Sequence, residues 1–277
     1  MSAGMPACPV FPPELERSIF EICASEHPTF AHNLLLVAWR VKEWIEAILY
    51  RTIVVGHPSP HERIYPLVTY ETLSSLIRTR SPEFLRDSVK NLLFSFSIEF
   101  SGDDTKLLST CSRLENLWFV SRDTLDLSAH DPSTLKRLYI YDFPTGTPPS
   151  VFTALTHLEL MGWKDAANPS LLCTSIANLP SLTHLAFSQN VSAPTFLPIL
   201  QSCASLLVLI SFDSDLEDVE ISSLQRDVRF VLYRDVEWLR DWEVGVQSGV
   251  DYWYRAERFV RKRQRGEVNL RQTNNTV

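Results

Sequence analysis

The chain has 277 residues, of which 45% are hydrophobic and 21% charged, an ordinary composition for a water-soluble chain able to bury a sizeable core. It carries only eight glycines and neither G-x-G-x-x-G nor a P-loop, which excludes the usual phosphate-cradling loops. A formal charge of −7 removes any general attraction for nucleic acid, so none is expected as a partner.

Residues 1–10 read as a loose leader. Phe11-Pro12-Pro13-Glu14-Leu15 then opens a helix: prolines suit its first turn, Glu14 and Glu16 face its positive end, and Leu15, Ile19 and Ile22 recur at helical spacing. It should stop near His27-Pro28. A second helix is expected over Leu34 to Ile48, with Leu34, Val37, Val41, Trp44 and Ile48 on one face and Leu35 and Trp39 on another. A helix so apolar is either deeply buried or made to receive a partner.

These residues carry a resemblance. Phe11-Pro12-Pro13-Glu14-Leu15, Ile19-Phe20-Glu21-Ile22, Leu36-Val37-Ala38, Trp44-Ile45 and Leu49-Tyr50-Arg51 resemble an F-box, with Phe11 where leucine is usual and Ala38 where cysteine is usual. The resemblance implies an all-α module over 11–55. It would dock on a Skp-type adaptor of a cullin-RING ubiquitin ligase through Phe11, Pro12, Glu14, Leu15, Ile19, Leu35 and Trp39.

Gly56-His57-Pro58-Ser59-Pro60 is a hinge by composition, and residues 56–88 supply linking helices over 72–80 and 82–88. From Val89 to about Arg234 one spacing, L-x-x-L-x-L, returns every 20 to 27 residues, with clear copies at Leu114, Leu135, Leu155 and Leu182 and weaker ones at Val89, Leu206 and Val228. That is the period of leucine-rich repeats. Leu172, Ile176 and Leu179, like Phe196, Leu200 and Cys203, stand at helical intervals before their strands. Each unit is therefore a short strand, a loop and a short helix, and units must stack to bury their apolar faces. The fold expected is α/β, a leucine-rich-repeat solenoid with a parallel curved sheet and outer helices. It is preceded by the F-box-like module and closed by one C-terminal helix over 235–266, with a disordered tail at 267–277.

Inside each copy the leucines face the helices, so the residues between them face the concave side. That places Trp118, then Arg137, Tyr139 and Tyr141, then His157 and Glu159, then His184 in one row. Exposed aromatics beside an arginine have the composition of a protein-binding hot spot, so this row is the expected target site. Two histidines and one glutamate brought together by alternation alone do not make a zinc site, and no metal or other cofactor is expected.

Five cysteines without a C-x-x-C pair read as reduced thiols of the cytoplasm or nucleus, and neither a signal peptide nor a membrane span is expected. The basic run Arg255, Arg258, Arg261, Lys262, Arg263 and Arg265 reads as a solvated helix end. No H-E-x-x-H or G-x-S-x-G occurs, so catalysis is not expected. Taken whole, the chain is similar to the F-box-like families of mushroom-forming fungi. That implies a substrate-recruiting adaptor of an SCF-type ligase, itself not an enzyme. The alternatives are a leucine-rich-repeat scaffold without a ligase role and, more distantly, a hydrolase or metalloenzyme.

Overall fold

Prolines, acids and apolar spacing in the first stretch do what elementary helix chemistry asks of them. In the computed structural model, which describes residues 11–56, 63–94, 102–120, 126–144, 147–162, 169–188, 191, 193–212, 218–234 and 236–268, the first helix is α1 (Pro13–Glu26). The leader, most of the Gly56–Pro60 hinge and the tail beyond Val268 lie outside the described residues. Contrary to expectation, Leu34 to Ile48 is not one helix. The chain forms α2 (Ala31–Leu34), turns through 35–38 with Ala38 extended (φ −162°, ψ 156°), and starts again as α3 (Trp39–Leu49).

The sheet begins before the repeats do. Thr52–Val55, placed by its sequence within the helical module, is strand β1, followed by β2 (Leu67–Val68). A run of Thr, Ile, Val and Val has the branched side chains that a strand buried on both faces prefers. Two helices come next. In α4 (Tyr70–Thr79) the Thr69 hydroxyl accepts from the Thr72 N–H. In α5 (Pro82–Ser88) the Ser81 hydroxyl accepts from Phe84, with Pro82 at the first position.

Then the repeating unit takes over: β3 (Asn91–Phe94), α6 (Gly102–Thr110), β4 (Asn116–Phe119), β5 (Arg137–Ile140), a 3-10 turn over Pro149–Phe152 and β6 (His157–Leu160). After these come α7 (Pro169–Ala177), β7 (His184–Phe187), α8 (Ala193–Ser202), β8 (Val208–Ser211), α9 (Asp218–Leu224) and β9 (Phe230–Leu232). A helix does not precede every strand. Between β4 and β5 the described residues form only turns, and between β5 and β6 the crossover is the 3-10 segment.

The nine strands form one sheet in the order β2-β1-β3-β4-β5-β6-β7-β8-β9, and every neighbouring pair is parallel. Register follows the repeat: Leu92, Leu117, Leu138, Leu158, Leu185 and Leu209 stand side by side. Together with Phe94, Phe119, Ile140, Leu160 and Phe187 they form the core between the sheet and its crossovers. The side chains that alternate with them point to the other face.

Two helices lie on that other face, where one was expected. Instead of one helix closing the last repeat, the C-terminal segment is α10 (Trp238–Ser248) and α11 (Tyr252–Gln264). Gly249, at φ +75°, ends the first, and the Asp251 carboxylate caps the second by accepting from the Tyr254 N–H. Trp242, Tyr252, Trp253, Ala256, Phe259 and Val260 pack against Val54, Leu93, Trp118, Tyr139, Ala186, Ile210 and Val231, a second core on the far side of the sheet. Arg263 turns inward and donates to the carbonyl of Phe230 on the edge strand β9. No helix among the described residues is long and apolar enough to cross a membrane.

Candidate functional site

Two surfaces were expected to bind partners, and the structure treats them oppositely. The row across β4–β7 is covered. Trp118 is 0% exposed and Tyr139 2%, their rings stacked 4.9 Å apart, and the indole N–H of Trp253 donates to the Tyr139 hydroxyl at 3.1 Å. The expectation of an open aromatic hot spot at Trp118 and Tyr139 is therefore corrected, because α10 and α11 bury these residues in the second core. Arg137 reaches Asp251 at 2.5 Å, and Tyr141 is half-buried against Gly162, where an added Cβ would collide with its ring.

Glu159 is fully buried beneath the helix pair. It accepts from the Tyr252 hydroxyl, the Ser188 hydroxyl and, at 3.1 Å, the Trp238 indole N–H. Burial pushes its carboxyl up to about 7, with the three donors holding it back. Next to it, the rings of His157 and His184 stack 4.1 Å apart, with Trp253 edge-on to both. Thr156 and Thr183 play matching parts: each hydroxyl donates to a backbone carbonyl and stands 2.8 Å from the Nδ1 of the following histidine. A hydroxyl already donating must accept from Nδ1–H, which leaves Nε2 of each neutral ring bare. Burial, more than the opposing pull of Glu257 at 4.0 Å, takes His184 down to about 4. Burial and the neighbouring His184 hold His157 well below its ordinary range. Chemically this cluster is a sealed pair of neutral imidazoles beside a buried carboxyl that changes protonation near neutral pH. Among the described residues no three His, Cys, Asp or Glu side chains converge as metal ligands.

The N-terminal surface is open. Helices α1–α3 enclose a small core of their own, Ala24, Ala31, Leu34, Val41 and Ile45, edged by Phe20, Leu35, Trp44 and Ile48. Among the described residues they meet the rest of the chain through the Arg80–Glu46 ion pair at 2.8 Å, the Tyr50–Phe84 ring contact and a Gln247 side chain donating to the Glu26 carbonyl. Elsewhere apolar side chains face water. Phe11, Leu15 and Ile19 are each more than half exposed, Ile22 is 62%, Trp39 71% and Leu36 85% exposed, and Val37 stands with them. Pro12 and Glu14 are exposed too, whereas Leu35 is half-buried against the module's core. An ion pair from Arg40 to Glu16 at 2.6 Å holds the start of α3 against the first turns of α1.

Single exposed leucines are ordinary, but this many large apolar side chains within 11–39 mark an interaction surface. Sequence spacing missed Leu36 and Val37 as exposed residues because it ran a helix through them. The signal for their exposure is the turn at 35–38, which lifts both off any packed face.

The sequence matches no known protein-family model, and a search of the curated proteins finds no match.

Proposed function

We propose that this chain is a non-catalytic, F-box-type adaptor. In this reading α1–α3 dock a Skp-type subunit of a cullin-RING ubiquitin ligase, and the leucine-rich-repeat body carries a protein target into reach of the conjugating enzyme. The observation that carries the reading is the open apolar surface of Leu15, Ile19, Ile22, Leu36, Val37 and Trp39 on a module that packs on the body with its other side. A helical cap alone has no use for that surface. Holding a target near the reactive thioester raises its effective concentration, which is all that a recruiting subunit has to supply.

Docking and capping use different sides of the module, so the two can be separated. Leu15→Ala with Ile19→Ala removes six carbons that are half exposed in the free chain, leaving its melting temperature nearly unchanged. At roughly 0.8 kcal/mol per buried CH₂, and with only part of the burial completed on docking, the loss is about 3 kcal/mol, about a hundredfold in Kd. The test is capture of the wild type and of this double variant by purified Skp-type adaptor, with a melting curve for each. Failure of the wild type to bind, or a loss of folding equal to the loss of binding, leaves a leucine-rich-repeat scaffold instead.

A further inference from the structure

With the sheet face covered, what the molecule presents on that side is the outer surface of α10 and α11, and α11 carries the charge. Helical spacing puts Tyr254, Arg258, Arg261 and Arg265 on one strip, four, three and four residues apart, and all four are exposed. Lys262 stands half-exposed one turn after Arg258. The helix carries Arg255, Arg258, Arg261, Lys262 and Arg263 against a single acid, Glu257, in a chain whose formal charge is −7.

The bland explanation, that cations suit a helix C-terminus, accounts for part of this. Two of the cations are committed inward: Arg255 grips Asp241 and Tyr233, and Arg263 bonds Phe230. Arg261, Lys262 and Arg263 lie in the last turn, where the dipole favours them. Arg258 lies a full turn earlier, outside the reach of that effect, and still points to solvent. Arg258 thus adds positive charge to the outer strip beyond what the dipole asks. Glu257 pairs with Arg261 at 2.5 Å, and the Arg265 guanidinium stands 3.7 Å from Glu267.

We infer that the strip Tyr254–Arg258–Arg261–Arg265 is a docking surface for an acidic segment of a partner protein. Charge complementarity selects the partner, since guanidinium forks bind carboxylates in pairs and the tyrosine adds a flat apolar contact at one end. A long nucleic acid fits less well: it would need phosphate contacts beyond one short helix, on a molecule whose remaining charge repels it. That this strip faces the recruited target rests on the adaptor reading above; that it binds acidic peptide does not.

The experiment uses the full chain and a fluorescein-labelled oligo-glutamate peptide, followed by anisotropy at low and high ionic strength. The wild type should bind with a Kd that rises with salt, and Arg258→Gln, Arg261→Gln and Arg265→Gln together should weaken binding about tenfold or more with the melting temperature unchanged. Replacing the same three by lysine should retain the salt-dependent part. The Leu15→Ala, Ile19→Ala variant should bind the peptide as the wild type does, so failure of adaptor docking leaves this result standing. No binding by the wild type, equal binding by the triple Gln variant, or tighter binding of a DNA oligonucleotide of equal charge would each overturn the inference.

Discussion

Glu159 offers the sharpest test of how the helix pair sits on the sheet. Its carboxyl is raised from an ordinary 4.5 to about 7 by burial, so the folded chain holds the proton more tightly than the unfolded one. The stability that this group contributes is fully present below pH 4.5 and is lost as pH rises to 7. At about 1.4 kcal/mol per tenfold change in proton affinity, the loss comes to about 3 kcal/mol. His184 works in the opposite sense. It is lowered from 6.5 to about 4, so its contribution is present above pH 6.5 and disappears as pH falls to 4. In the wild type the two nearly cancel over this range, with His157 adding to the loss on the acid side. Glu159→Gln is neutral and close to isosteric, and it removes one arm. Relative to the wild type, the variant should therefore gain about 3 kcal/mol between about pH 4 and pH 8, leaving a curve that falls steeply toward acid. Urea unfolding followed by tryptophan fluorescence across that range measures it. Parallel curves for the two proteins would show that Glu159 titrates alike folded and unfolded, and would refute the sealed site.

Trp253→Ala opens the centre of the second core, where the indole touches both histidines and donates to Tyr139, and should cost about 3–5 kcal/mol in urea unfolding. A cost below about 1 kcal/mol would mean that the helix pair is not packed on the sheet. Gly249 has φ +75° and nothing within 4 Å of where a Cβ would stand, so Gly249→Ala should cost only the left-handed strain, about 1 kcal/mol, by the same measurement. A larger loss would mean that the elbow between α10 and α11 is crowded.

The strands were legible because L-x-x-L-x-L encodes both period and face: Leu117, Leu138, Leu158 and Leu185 sit in register on β4–β7. Their helix-side burial follows from alternation alone. The opposite face was misread because Trp118 and Tyr139 would look the same on a hot spot as under a cover, and periodicity does not say where an amphipathic helix lands. Gly249 followed by Asp251 is a helix stop and a helix start, a signal overridden by reading apolar spacing straight through it. Thr52–Val55 was a strand by its branched side chains, hidden by its place at the end of a helical module. The apolar surface of α1 was partly legible, since Leu15, Ile19 and Ile22 share a face. That this face stays open follows only from where α3 and the sheet lie.

The adaptor reading is tested most directly by amide hydrogen exchange of the full chain with and without a purified Skp-type adaptor. The account predicts added protection over Phe11–Ile22 and Leu35–Trp39, with α10 and α11 unchanged. No protection in those two segments, or protection confined to α11, would contradict it.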